Sequence, residues 1–192
     1  MPREHAIPPG LERLTVPPEA GDLPVPRFVD AFIRDAEDRA EEYGGRAGKG
    51  LFVPGDYRYA FQILQWLLHT KRAGKGAALL EWGSGQGMVA ILAALLGYDS
   101  VGVEIDEALV RESRELAARY DTKARFEHGS YDPATPGLKV VTAKKRAVVY
   151  VYPWPGEEPF FLRLFDETAE AGAFLLMCLG PEDIRVYRKK GE

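Results

Sequence analysis

The chain is poor in the residues that mark several classes of protein. It carries one cysteine in 192 residues, so no intrachain disulfide forms. That residue, Cys178, lies in the apolar run from Phe174 to Leu179, where burial is the default. There are three histidines, and no His/Cys/Asp/Glu cluster has metal-ligand spacing, so no metal is expected. His69 falls at the polar end of a helical pattern and reads as a solvated side chain rather than a base. No stretch of about 18 apolar residues exists, and the first residues lack the apolar core of a signal peptide. A soluble, cytoplasmic protein is the expectation. Neither sign of charge dominates, with 25 Lys and Arg against 29 Asp and Glu. The resulting −4 net charge and acidic pI give no bulk attraction to nucleic acid. The basic clusters Lys144-Lys145-Arg146 and Arg185 to Lys190 are local and read as solvated strand edges.

What is present centres on Ala77-Ala78-Leu79-Leu80-Glu81-Trp82-Gly83-Ser84-Gly85-Gln86-Gly87, followed by an uncharged run from Met88 to Leu96. A short apolar run, an acidic residue, three alternate glycines and an apolar helix spell a strand, a tight turn and a buried helix. Glycines there admit positive φ and a close ligand, and the first amides of the helix point at whatever sits in front of them. Val101-Gly102-Val103-Glu104-Ile105-Asp106 reads as a second strand ending in a carboxylate, 21 positions after Gly83. In doubly wound folds an acid at about that distance holds the ribose hydroxyls of an adenosine cofactor. The dinucleotide spacing G-x-G-x-x-G would require a third glycine where Met88 stands. A carboxylate at Glu81 would also repel a pyrophosphate and attract an ammonium group.

The pattern E-x-G-x-G-x-G with its second acid resembles the first motifs of the class I S-adenosylmethionine-dependent methyltransferases. The resemblance covers about residues 51–179. It implies an α/β, Rossmann-like three-layer sandwich and S-adenosyl-L-methionine as cofactor. Glu81 would then face the methionine end, Gly83, Ser84, Gly85 and Gly87 would form the loop beneath the cofactor, and Glu104 with Ile105 would meet the ribose side. In the family an acid near the end of the third strand often meets the adenine amino group. Here His128-Gly129-Ser130-Tyr131-Asp132 offers Ser130 and Tyr131 instead, with Asp132 as a substitute. Phe52-Val53-Pro54 and Gly83-Ser84-Gly85 look most like the small protein-lysine methyltransferases, although Trp82 and Gln86 replace residues that are usually aliphatic and acidic. The fourth-strand turn, Tyr152-Pro153-Trp154-Pro155, is neither D-P-P-Y nor N-P-P-Y, which argues against a nucleobase acceptor.

Taken along the chain, residues 1–26 hold seven of the 14 prolines and form an extended or disordered arm. Residues 27–43 have helical spacing, with Phe28, Ala31, Phe32, Ala36 and Ala40 on one face. Gly44 to Gly50 then forms a hinge whose spacing fails as a phosphate loop. The resemblance implies that residues 51–192 form a methyltransferase domain. Asp56 and Asp106 are candidate N-caps for the helices that follow them. Six strands are expected, with no room at the C-terminal end for the helix and strand that complete the usual seven-stranded sheet. Tyr152, Pro153 and Trp154 end the fourth of these strands, where ligands of open α/β sheets lie, and are assigned to the acceptor pocket. Glu157 and Glu158 suit the start of the next helix. The expected reaction is methyl transfer to an amine, on a protein lysine or a small molecule. No residue stands out as a base, so none is assigned. A non-catalytic cofactor-binding module and an NAD-dependent oxidoreductase are the alternatives, the latter weakened by Met88.

Overall fold

The computed structural model describes residues 6–47, 56–131 and 146–191. Its frame is one seven-stranded sheet in the order β1-β7-β6-β5-β2-β3-β4. The strands are β1 (Leu11–Leu14), β2 (Ala78–Trp82), β3 (Asp99–Glu104), β4 (Arg125–His128), β5 (Val148–Val151), β6 (Phe174–Gly180) and β7 (Asp183–Lys189). Strands β2 to β6 are parallel, and β7 folds back antiparallel on β6. Strand β1 is antiparallel to β7 and so runs in the same direction as the other five.

Every residue of β2 and of β5 is buried, as expected of parallel strands covered on both faces. One face carries helices α1 (Arg27–Ala47), α2 (Tyr57–His69), α3 (Met88–Leu95) and α4 (Glu107–Arg119), and the other carries α5 (Glu158–Thr168). Asp56 caps α2 by accepting from the Tyr59 amide at 2.9 Å, and Asp106 caps α4 through the Ala108 amide at 2.8 Å. Helix α3 is apolar on all sides, and six of its residues are buried. The Tyr98 hydroxyl ties this layer to α2 by donating to the Leu64 carbonyl at 2.9 Å.

Three expectations are corrected. The sheet has seven strands rather than about six, because Leu11–Leu14 of the proline-rich arm takes the outer place beyond β7. Prolines flank this segment but do not enter it, so its amides remain free for the ladder. The arm is tied down further where the Gln62 side chain donates to the Gly21 carbonyl and, at 2.8 Å, to the Leu23 carbonyl. Helix α1 continues to Ala47 instead of ending at Tyr43, so Gly44 and Gly45 lie inside it. A mid-helix glycine costs only about 1 kcal/mol and does not by itself stop a helix. The buried face of α1 is Val29, Phe32, Ile33 and Ala36, while Phe28 is 60% exposed. Phe52-Val53-Pro54, Asp132, Lys144 and Lys145 lie outside the described residues.

Candidate active site

Strand β2 ends at Trp82, and the chain turns into α3 through glycines at φ +68°, +52° and +78° for Gly83, Gly85 and Gly87. These glycines do different work. A side chain on Gly83 would come within 2.9 Å of the Tyr131 hydroxyl, so the turn holds that phenol against bare backbone. One on Gly87 would strike the Phe126 ring at 2.3 Å and Ser113 at 2.8 Å, which makes Gly87 a packing glycine. Strand alternation then separates neighbouring residues. Glu81 points under α3, where its carboxylate accepts from the Ala90 amide at 2.8 Å. Trp82 points the other way, packed between Tyr131 and Phe161.

Glu81 is 5% exposed, and burial pushes its carboxyl up to about 8 despite the helix amides that favour the anion. Glu104 fares differently. Its Oε1 accepts from the Ile105 and Asp106 amides at 2.8 and 3.0 Å, and its Oε2 from the Gly85 amide at 2.8 Å. The carboxylate therefore stitches the glycine turn to the end of β3. The Gly129 amide donates to the Glu104 carbonyl at 2.9 Å, which brings the end of β4 alongside. Gln86 is buried and donates to Glu112 at 3.2 Å. An acid at this position would face Glu112 with like charge.

Over these strand ends lies a cavity of about 710 Å³. Its floor is Gly83, Gly85 and Glu104, one side is Ile105, Ser130 and Tyr131, and the other is Tyr152, Pro153 and Trp154. Nine of the residues singled out in the sequence thus meet at one cavity. Glu81, Ser84 and Gly87 stand behind its wall. Ser84 is buried, with no hydrogen-bond partner for its hydroxyl. Trp82, Leu109, Glu157, Glu158, Phe161 and Leu179 also line the cavity. Phe161 comes from a helix face and Leu179 from a strand end, and neither belongs to a motif. The Trp82 substitution was the available signal for an aromatic wall. Trp82 is 1% exposed and its indole N–H has no partner, an orphaned donor on the cavity wall. Burial together with Glu104 and Glu157 raises the Tyr131 hydroxyl to about 12, so it stays a neutral phenol. At the mouth, Trp154 and Phe160 are 48% and 45% exposed, and Glu157 accepts from the Trp154 amide at 3.1 Å. Among the described residues there is no group of His, Cys, Asp and Glu able to hold a metal ion. No helix among them is long and apolar enough to cross a membrane.

No protein-family model matches the chain. It is 33% identical over 116 residues to the ribosomal protein L11 methyltransferase of Cupriavidus pinatubonensis, a match covering 60% of this chain and 34% of that protein. It is 29% identical over 130 residues to an ATP synthase lysine N-methyltransferase of Rattus norvegicus, covering 68% of this chain and 56% of the relative. The match thus spans about a third to just over a half of these curated relatives. An RNA methyltransferase from Salinibacter ruber, solved with S-adenosyl-L-homocysteine, superposes with a TM-score of 0.52 at 21% identity. That likeness covers 68% of this chain and 92% of the other and speaks to the fold. The chain has the fold of the class I S-adenosylmethionine-dependent methyltransferases. In that family's sheet the outermost strand lies beyond the antiparallel one, and here β1 fills this place from the N-terminal side.

Proposed function

We propose that this methyltransferase transfers the methyl group of S-adenosyl-L-methionine to an amine. The observation that carries the reading is the single cavity into which the glycine turn, Glu104 and the Tyr152-Pro153-Trp154 turn all open. The residues present fit the cofactor. The side-chain-free backbone at Gly83 and Gly85 forms a cradle, and Ile105, 71% exposed, offers an apolar face to an adenine. Glu104 uses three of the about four acceptor positions of a carboxylate on backbone amides and keeps one for a ribose hydroxyl. Ser130 and Tyr131 flank the adenine side. Glu81, which keeps its proton at neutral pH, acts from behind the wall by holding the first turn of α3 through the Ala90 amide beneath the methionine end.

When bound, the cofactor supplies an activated methyl on a sulfonium, so the chain's own work is to bind, align and desolvate. Trp154, Tyr131 and Phe161 present aromatic faces, which attract a cation. Glu157 and Glu158 add negative charge at the mouth. The amine sheds its proton before attack. No histidine lines the cavity among the described residues, so the open mouth delivers that proton to water. The names of the curated relatives, one acting on a ribosomal protein and one on a lysine, support an amine on a protein.

Calorimetric titration with S-adenosylmethionine, S-adenosylhomocysteine and NAD tests the cofactor. Micromolar binding of the first two, about −7 to −8 kcal/mol, and none of NAD is expected. A radiolabelled methyl donor, incubated with fractionated lysate, tests the acceptor. Label entering RNA or DNA rather than protein or small amines would overturn the amine reading.

A further inference from the structure

A second cavity, of about 500 Å³, lies on the same end of the sheet as the first. It is lined by Arg13 to Val16 where β1 ends, by Tyr59 of α2, and by Glu182 to Arg185 at the β6–β7 turn. Its position follows from the topology. Because β1 runs parallel to β6, its last residues emerge at the carboxyl ends, across β7 from Leu179 of the first cavity. Strands β6, β7 and β1 are neighbours about 4.8 Å apart, so the ends of β6 and β1 that border the two cavities stand about 10 Å from each other. That gap corresponds to roughly three residues of extended chain.

The rim joining them is held in place and acidic. Asp56, while capping α2, also accepts from the Glu182 amide at 3.2 Å, which fixes the β6–β7 turn against that helix. Asp56, Glu182 and Asp183 all lie close enough to Tyr59 to raise its hydroxyl along with burial. Glu157 and Glu158 stand at the other end. Against these five carboxylates the two cavities set Arg13 and Arg185, and Arg185 lies 3.6 Å from Asp183. Two large aromatic side chains, Trp154 and Phe160, are about half exposed beside the acidic mouth, and Phe160 leans on Tyr131 at 6.5 Å between centroids. A small amine needs only the first cavity. Exposed aromatics, a fixed acidic rim and a second cavity in line with the first suit a longer cation-bearing chain.

We propose that this rim docks a basic polypeptide segment across the carboxyl ends of β5, β6, β7 and β1, presenting one of its lysines to the cavity beneath Trp154. This deepens the amine reading above and rests on it. The test uses the full chain with saturating S-adenosylhomocysteine and a fluorescein-labelled, lysine-containing decapeptide of net charge +4, followed by anisotropy. Saturable binding that weakens with added salt is expected, because rim charges are screened within about 10 Å at 0.1 M ionic strength. The double variant Glu182→Lys with Asp183→Lys should weaken the peptide at least tenfold while leaving cofactor affinity unchanged. Equal peptide affinity in the variant, or displacement by an RNA oligomer as readily as by unlabelled peptide, would overturn the docking surface. Methylation of n-propylamine with a kcat/KM equal to that of the peptide would also overturn it. A peptide that binds through the rim, yet receives no methyl from labelled donor, would leave the surface standing and sink the transfer reading. A peptide methylated equally by wild type and variant would do the reverse.

Discussion

Glu81 and Glu104 end adjacent strands, yet their surroundings give them different tasks. Glu81 keeps a proton in the folded chain that the unfolded chain releases, its carboxyl being raised from 4.5 to about 8 by burial. The sign follows: the stabilisation is complete below about pH 4.5 and is lost progressively as pH rises through about 8. Its steepest slope is about 1.4 kcal/mol per pH unit. Glu81→Gln, which keeps an acceptor for the Ala90 amide, should flatten that slope. Thermal melts of wild type and variant between pH 5.5 and 8.5 check it, and parallel curves would refute the assignment. Glu104 is the opposite case, a carboxylate satisfied by three amides. A residue placed only to hold ribose would leave the apo protein's melting temperature nearly unchanged when removed. The geometry predicts otherwise. Glu104→Ala strips the turn of three charge-assisted bonds and should cost about 2–4 kcal/mol of stability. It should also lower cofactor affinity about 10- to 100-fold, through one lost hydroxyl bond of about 1.5–3 kcal/mol. Denaturant titration and calorimetry on the same variant measure both losses.

At the scale of elements, β1 shows where a sequence pattern runs out. Four residues, Leu11-Glu12-Arg13-Leu14, stand between proline pairs with too little alternation to announce a strand. Their partner strand lies at the far end of the chain, and only tertiary pairing makes them one. Four of the five parallel strands were legible because each is a mostly buried, mainly apolar run bounded by turn residues, whereas β4 buries only Phe126 and rests on its place between α4 and the His128-Gly129 turn. The face of α1 was misread for a related reason. Phe28 and Val29 are both apolar, and composition does not say which one the sheet meets. The structure buries Val29, Phe32 and Ile33, so Phe28→Ala should change stability by less than about 0.5 kcal/mol. Leu11 is 3% exposed and packs with Phe165 and Tyr187 in the cluster beneath α5. Leu11→Ala should therefore cost about 2–4 kcal/mol. Urea titrations of the two variants side by side decide the point, and equal midpoints would mean that β1 contributes little.

At the scale of the whole molecule, the sheet gathers residues from the ends of β2, β3, β4 and β5 at one opening. The side of the cavity proposed for the cofactor was legible as a structural unit because its signal is local: glycines and acids at fixed distances within one strand–turn–helix unit. Even there, period-2 alternation set Glu81 behind the wall and Trp82 on it, an arrangement that the spelling of the motif does not reveal. The side proposed for the acceptor was legible as cavity wall only at the Tyr152-Pro153-Trp154 turn. Phe161 and Leu179 reach the cavity through the packing of α5 and the length of β6, both tertiary facts. Trp154 tests this division of the cavity. It is 48% exposed and lies between Pro153 and Pro155, so its removal opens no core cavity and should move the melting temperature by no more than about 2 °C. It lines the side opposite Ile105 and Ser130, so Trp154→Ala should leave S-adenosylmethionine affinity within a few-fold. If it aligns and desolvates the acceptor, turnover on that acceptor should fall at least about 100-fold, the scale of a misplaced reactant. Calorimetry with the cofactor, beside initial rates with labelled methyl donor, separates the outcomes. A large loss of cofactor affinity would move Trp154 to the cofactor wall, and unchanged turnover would make it a surface aromatic with no part in the reaction.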